Sequence, residues 1–198
     1  MLANVASELT GFDPLLIADE WSLTMGKLAK ADDMAEESPE FFLSGISLIG
    51  YLELDTTNSR LVESAGKLLE ANLASSSTRT IRSHYSARTQ EALHSASLLR
   101  FQSPEEIREN EDLWAQLGNL AITGIHLDSL IDARKDSLKL PQFTALQLTT
   151  GALTEMTKYA RRINTQTWNS ILRQSHNFGL DQYMVKKLIR PVLQSATN

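Results

Sequence analysis

Residues 103–141, SPEEIRENEDLWAQLGNLAITGIHLDSLIDARKDSLKLP, decide the fold class of this chain. The stretch begins with Ser103 and Pro104, and a glutamate follows at position 106, which is the pattern of a helix N-terminus with a capping box. It ends at Pro141, which cannot continue a helix because proline lacks the amide hydrogen. Helix-forming leucine, alanine, glutamine and glutamate fill the interval. The pattern therefore predicts one long helix over residues 104–139.

The same signals recur along the whole chain, whose five prolines all lie where helices are expected to begin or end. No sustained alternation of apolar and polar residues indicates a strand. We predict an all-α, single-domain bundle over residues 1–198, with about seven or eight helices around a central apolar cavity. The predicted helices cover residues 14–31, 38–57, 59–75, 78–100, 104–139, 142–162, 165–178 and 180–195.

Composition excludes several classes of protein. The 198 residues include no cysteine, so neither a disulfide framework nor a thiolate metal site is expected. The isoelectric point is about 5.4, whereas a general nucleic-acid binder is normally basic, so we expect no nucleic-acid partner. Apolar residues make up 42% of the chain, which is enough for an ordinary hydrophobic core.

The sequence shows no targeting or membrane signal. The first residues lack the basic and apolar regions of a signal peptide. The longest apolar run, Phe41 to Leu54, is too short to span a bilayer and is expected to form a buried helix. These features predict a cytoplasmic protein without an integral membrane segment.

Three aspartates lie at four-residue intervals near the end of the long predicted helix. Asp128, Asp132 and Asp136 span an arc of roughly 80° on a helix that turns 100° per residue. Earlier residues on or beside the same arc are mostly apolar: Trp114, Leu117, Ala121, Gly124 and Ile125. The aspartates are thus predicted to continue the apolar side of the helix, whereas His126 falls on the polar side.

Such a placement is unfavourable without a counter-charge. Like charges four residues apart destabilise a helix by about 0.2–0.5 kcal/mol, and the penalty grows beside an apolar cavity. A divalent cation would remove it, and clustered carboxylates favour Mg²⁺. The alternative is a set of ordinary exposed salt bridges, with Arg134, Lys135 and Lys139 as partners.

The segment LDSLIDARKDSLKLP resembles the second aspartate-rich motif of class I isoprenoid synthases of the squalene/phytoene synthase type. Asp128, Asp132 and Asp136 match the motif's acidic residues, and Lys139 with Leu140-Pro141 matches its end. In that family the motif binds Mg²⁺, which holds a prenyl diphosphate, and the fold is all-helical around an apolar cavity. The resemblance implies that Asp128 and Asp132 are catalytic metal ligands and that Asp136 is a further ligand.

A candidate for the family's first motif lies in ISLIGYLELDTTNSRL, residues 46–61. Glu53 and Asp55 are its possible metal ligands, although Thr57, Asn58 and Ser59 stand where the family has further acids. On the predicted helix, Glu53 and Asp55 point to opposite faces. The short chain leaves open a homodimer that completes the pocket.

The function implied by the resemblance is that of a magnesium-dependent enzyme that binds and ionises a prenyl diphosphate. Arg79 and Arg82, with Arg88 as a further candidate on the same side of their predicted helix, suit diphosphate recognition. Apolar residues of the long helix would line the pocket for the hydrocarbon: Trp114, Leu117, Ala121 and Ile125.

Two other interpretations remain open on the sequence. Glu91 and His94 form a Glu-x-x-His pair, as in di-iron bundles, but the chain has no second pair. The second alternative is a non-catalytic all-α interaction or regulatory module, which the incomplete first motif favours.

Overall fold

The computed structural model describes residues 2–37 and 50–177. Within these ranges the chain forms eight α-helices and no strand, which confirms the predicted all-α class. None of these helices combines the length and the apolar character needed to cross a bilayer. The helices are α1 (Leu2–Thr10), α2 (Leu15–Glu37), α3 (Ser59–Ser77), α4 (Ile81–Gln102), α5 (Glu105–Arg108), α6 (Glu111–Lys139), α7 (Ala145–Ala160) and α8 (Thr165–Asn177).

The long helix predicted over 104–139 is interrupted, and this part of the prediction is wrong. The Ser103 hydroxyl does not cap α5. It donates to the Leu99 carbonyl at 2.7 Å and accepts a hydrogen bond from the Trp21 indole at 2.9 Å. A new helix begins at Asn110, whose side chain accepts from the Leu113 amide at 3.0 Å. The buried tryptophan needs an acceptor, and this tertiary contact outweighs the local capping pattern.

Four other parts of the helix prediction differ from the structure or lie outside the described residues. The helix predicted over residues 14–31 extends to Glu37 in α2. Helix α1 was not predicted, and it forms because its Val5 side chain is fully buried against Trp168 and Ile171 of α8. The predicted helix over 38–57 lies partly outside the described residues, and in the part that is described residues 52–58 form turns instead. The predicted helix over 180–195 lies wholly outside them.

Two helical hairpins form the centre of the fold. Helices α3 and α4 form one hairpin and α6 and α7 the other, and α4 packs against α6 and α7 as well as against α3. Tyr85 of α4, Ala133 of α6 and Leu148 of α7 meet in one buried cluster. Helices α1 and α2 pack beside this unit, where Trp21 and Trp114 lie with ring centroids 5.6 Å apart. Helix α4 therefore lies between α3 on one side and α6 and α7 on the other.

Gly151 allows α7 to approach α4 closely. The Tyr85 hydroxyl donates to the Leu148 carbonyl at 2.7 Å, and the tyrosine ring lies against the Gly151 backbone. A Cβ at residue 151 would collide with that ring and would lie 2.9 Å from Cγ2 of Ile81. We expect Gly151→Ala to lower the free energy of unfolding by about 1–3 kcal/mol, although alanine is the better helix former.

Chemical denaturation of Gly151→Ala and of Gly66→Ala tests this close approach. Gly66 lies in α3, and a Cβ there would meet no atom within 4 Å. Gly66→Ala should be neutral or should stabilise the protein by up to about 1 kcal/mol. A Gly151→Ala variant as stable as the wild type would contradict the tight packing of α7 on α4.

Candidate functional site

The three aspartates of α6 lie at the border between the buried and the exposed sides of the helix. Asp128 is exposed over 68% of its side chain, whereas Asp132 and Asp136 are partly buried. The residues of α6 that are buried are Leu113, Trp114, Leu117, Gly118, Ile122, Thr123, His126, Ser129 and Ala133. The prediction that the aspartates continue the apolar side is therefore wrong for Asp128, whereas the partial burial of Asp132 and Asp136 agrees with it. The buried side includes the polar residues Thr123, His126 and Ser129, which hydrophobicity alone assigns to solvent.

Arg88 of α4 approaches these three aspartates, which we call the aspartate row, at Asp128. Its Nη1 atom lies 3.1 Å from both carboxylate oxygens of Glu91, and its Nη2 atom lies 3.7 Å from Oδ2 of Asp128. The side chains of Arg88 and Glu91 are only 18% and 10% exposed. The guanidinium thus supplies one positive charge beside the clustered carboxylates.

The pKa of Asp136 shows that the Arg88 charge also acts on the far end of the row. Burial raises the pKa of the Asp136 carboxyl, and the neighbouring charge of Asp132 raises the pKa further, whereas the Arg88 charge lowers it. The middle of the row follows the alternative given by the sequence, because Lys135 lies 3.9 Å from Asp132 as a surface ion pair. Side chains of this chain therefore compensate part of the negative charge of the row.

The two acids of the candidate first motif lie in a turn, so the prediction that they share a helix is wrong. Glu53 has a φ of 53°, is exposed, and forms an ion pair with Lys27 of α2 at 2.6 Å. This lysine lowers the pKa of Glu53. The Asp55 carboxylate accepts hydrogen bonds from the hydroxyl and the amide of Thr57, and these bonds lower the pKa of Asp55. Both acids are thus engaged by α2 or by their own turn.

The positions of the aspartate row, Glu53 and Asp55 also show whether these side chains could bind Mg²⁺. Among the described residues, no group of three or more aspartate, glutamate or histidine side chains is arranged to hold a metal ion. Arg88 lies beside the row where a cation would be expected. The described residues therefore do not fit a magnesium cluster, and the magnesium site stays a prediction.

The residues predicted to line an apolar pocket do not share one environment. Trp114 and Leu117 are buried in a packed cluster that includes Trp21, Leu99 and Ile107. The Trp114 indole donates to the Ile107 carbonyl at 2.8 Å. Ala121 and Ile125 are only partly buried on α6. Trp114 and Leu117 therefore belong to the core.

The predicted diphosphate arginines lie on a different side of α4 from Arg88. Arg82 borders an open groove of about 730 Å³ between α3 and α4, and Arg79 is exposed in the turn between these helices. Arg82 and Arg88 are six positions apart, so their side chains diverge by roughly 120° around the helix. The expectation that all three arginines share one side is wrong. The groove is lined by Lys67, Glu70, Ala71, Ala74, Thr78, Arg82, Ser83, Ser86, Ala87, Gln90 and His94.

The Glu-x-x-His pair is divided between these two sides. Glu91 binds Arg88. His94 lines the groove, and its pKa is lowered chiefly by burial. The pair therefore has no shared ligand geometry in the described part of the chain.

The prediction that His126 lies on the polar side of its helix is wrong. The residue is fully buried, its Nε2 atom lies 3.0 Å from the Thr89 hydroxyl, and its ring packs near Tyr85 and Tyr159. Burial lowers the pKa of the imidazole to about 4. The spacing of Ile122, His126 and Ala133 contained the signal, because positions four and seven residues apart share a helix face.

Comparisons with known proteins give no relative for this arrangement. The chain matches no protein-family model, and neither the curated proteins nor the solved structures give a significant match. The resemblance to isoprenoid synthases therefore rests on the aspartate motif of α6 alone.

Proposed function

We propose that this chain binds a ligand with a phosphate or diphosphate head and an apolar tail in the groove between α3 and α4. The observation that carries the proposal is the lining of this groove, which combines two cationic side chains with hydroxyl groups and a row of alanines. Prenyl diphosphates are the ligand class that the resemblance of α6 to isoprenoid synthases implies.

The polar head would lie at the end of the groove where α4 begins. Arg82, Thr78 and Ser83 line this end, and exposed Arg79 lies in the adjoining turn. Guanidinium groups bind phosphate oxygens in bidentate fashion. Lys67 lies at the other end, where its charge is partly balanced by an ion pair with Glu63. The charge distribution thus favours an anion near Arg82.

The middle of the groove suits an apolar tail. Ala71 and Ala87 are buried there and Ala74 is exposed, so the lining has no bulky side chain along this stretch. Burying a hydrocarbon chain against such a surface contributes about 25 cal/mol for each Å² removed from water.

The proposal covers binding and includes no ionisation step. Ionising a prenyl diphosphate requires a positive centre that stabilises the departing diphosphate. The aspartate row lies on the side of α4 that faces α6, whereas the groove lies on the side that faces α3. The catalytic function implied by the motif remains a proposal, and a magnesium arm in the experiment distinguishes it from binding alone.

Arg82→Ala should weaken binding of farnesyl diphosphate by about tenfold, because it removes a charged hydrogen-bond donor from the head-group end. Isothermal titration calorimetry with farnesyl diphosphate and with inorganic diphosphate, each with and without Mg²⁺, measures the effect. Arg134→Ala is the matched control, since Arg134 is exposed on α6 away from the groove.

The outcomes separate the alternatives. No binding of either compound, or equal weakening by both substitutions, contradicts the proposed groove site. Binding that requires Mg²⁺ and is lost in Asp128→Asn and Asp132→Asn would instead place the ligand at the aspartate row.

A non-catalytic interaction module is the second candidate, and one surface favours it. Ile131 and Leu138 on the outer side of α6 are 60% and 83% exposed. Large aliphatic side chains in such positions are typical of association surfaces when they share one face.

A further inference from the structure

The outer side of α6 carries an exposed line of residues at seven-residue spacing. Gly124, Ile131 and Leu138 are all exposed. Residues seven apart lie on nearly the same side of a helix, as in the seam of a coiled coil. This side is opposite to Ala133, which is buried against α4 and α7. The line is therefore available to a partner helix.

We propose that two copies of this chain associate through this line, with their α6 helices antiparallel and a two-fold axis at Ile131. The partner of the interaction module is then the chain itself. The inference rests on that second candidate function and is independent of a ligand in the α3–α4 groove.

Shape complementarity supports a two-fold axis at this residue. Gly124 and Leu138 each lie seven residues from Ile131, about 10.5 Å along the helix axis on either side. A two-fold axis at Ile131 therefore places Leu138 of each copy over Gly124 of the other. A Cβ built on Gly124 meets no atom within 4 Å, so the surface is open where the leucine would insert. The protruding side chain, Leu138, and the open surface that would receive it, at Gly124, are both present on α6; we call them the knob and the hole.

Charge selects the antiparallel direction. Asp128 and Lys135 flank Ile131, three residues before it and four after it, and their side chains are 68% and 58% exposed. In the antiparallel pair, Asp128 of one copy faces Lys135 of the other on both sides of the axis. A parallel pair would instead bring this flank against the opposite flank of the partner helix, where Lys135 of each copy would approach Arg134 of the other, which is repulsive. The same surface is thus complementary to itself in one orientation only.

Helix α7 carries a further exposed aliphatic side chain. Leu153 is 47% exposed and lies two residues after Gly151, which faces α4, so its side chain points away from α4 as Ile131 does. The contact remains at the small end of specific interfaces, which bury about 1,200–2,000 Å² in total. We therefore expect a reversible dimer whose population depends on protein concentration.

Single cysteine variants test the register, because the natural chain has no cysteine. Under mild oxidation, Ile131→Cys should form a disulfide-linked dimer, since residues at the axis approach within the Cα separation of about 7 Å that a disulfide requires. Leu138→Cys alone should not cross-link, whereas a mixture of Leu138→Cys and Gly124→Cys should. Cross-linking of each variant with itself would indicate a parallel pair and overturn the proposal.

Sedimentation equilibrium tests the energetics without a chemical cross-link. Gly124→Leu fills the hole without a clash inside the monomer, and Leu138→Ser removes the knob, so each should weaken association by about tenfold or more. Leu15→Ser is the matched control, since Leu15 is 77% exposed on α2. Lys135→Glu should also weaken the dimer.

Two results would overturn the self-association. One is a wild-type chain that stays monomeric up to about 0.5 mM, where even a weak dimer is populated. The other is a dimer that Gly124→Leu and Leu138→Ser leave unchanged, because association would then use another surface. Neither result bears on ligand binding between α3 and α4.

Discussion

Replacing Arg88 with alanine should lower the free energy of unfolding by about 3–5 kcal/mol, the range found when one partner of a buried ion pair is removed. Glu91 is 8% exposed, and Arg88 contacts both of its carboxylate oxygens. The substitution leaves that carboxylate buried and also removes the positive charge facing Asp128. Urea denaturation monitored by circular dichroism measures the loss.

A double-mutant cycle distinguishes the ion pair from simple loss of packing. Arg88→Met combined with Glu91→Leu removes both charges while keeping apolar volume, so much of the stability should return. Arg79→Ala, an exposed arginine at the start of the same hairpin, should change stability by no more than about 0.5 kcal/mol. If Arg88→Met alone is as stable as the wild type, Arg88 is not the counter-charge of this cluster.

Because of His126, the free energy of unfolding should fall by about 3 kcal/mol as the pH falls from 6.5 to 4. The pKa of this imidazole is about 4 in the folded protein, because burial disfavours the charged ring, against 6.5 in an unfolded chain. Between these values the unfolded state binds more protons, so stability rises with pH. The stabilising contribution is complete above pH 6.5 and is lost as the pH falls toward 4.

Urea titrations of the wild type and of His126→Asn across this range check the prediction. The variant should be less stable at neutral pH yet should lose less stability on acidification. A smaller slope should remain, since burial also lowers the pKa values of His84 and His94. Parallel curves for the two proteins, or an NMR titration of His126 near pH 6.5, would contradict the burial of this ring as the cause.

The fold class was predictable because helix signals are local. Asp13 accepts a hydrogen bond from the Leu15 amide at 2.9 Å at the start of α2, and α6 ends at Lys139 before Pro141, as the sequence predicts. Helix α1 was missed because only its contact with α8 stabilises it. The break at residues 109–110 was missed because the carbonyl groups of Ile107 and Arg108 accept hydrogen bonds from the side chains of Trp114 and Arg100.

The candidate site was predictable in its residue types and not in its assembly. The need of the aspartate row for a positive charge follows from spacing alone, and the structure provides Arg88, a residue the sequence had assigned to a diphosphate. Arg82 borders a groove, but that groove lies across α4 from the aspartates. Whether two residues meet depends on which face of a helix each neighbour covers.

By itself, therefore, the sequence determined that the chain is helical, where most of its helices begin and end, and that its clustered acids require compensation. These properties depend on groups a few residues apart, whose geometry a helix specifies. Only the tertiary structure decided that His126 is buried, that Asp128 is exposed, and that Arg88 and Glu91 meet within the packed helices. These outcomes depend on the packing of α4 against α6 and α7, because side chains from several helices must fill one shared interior.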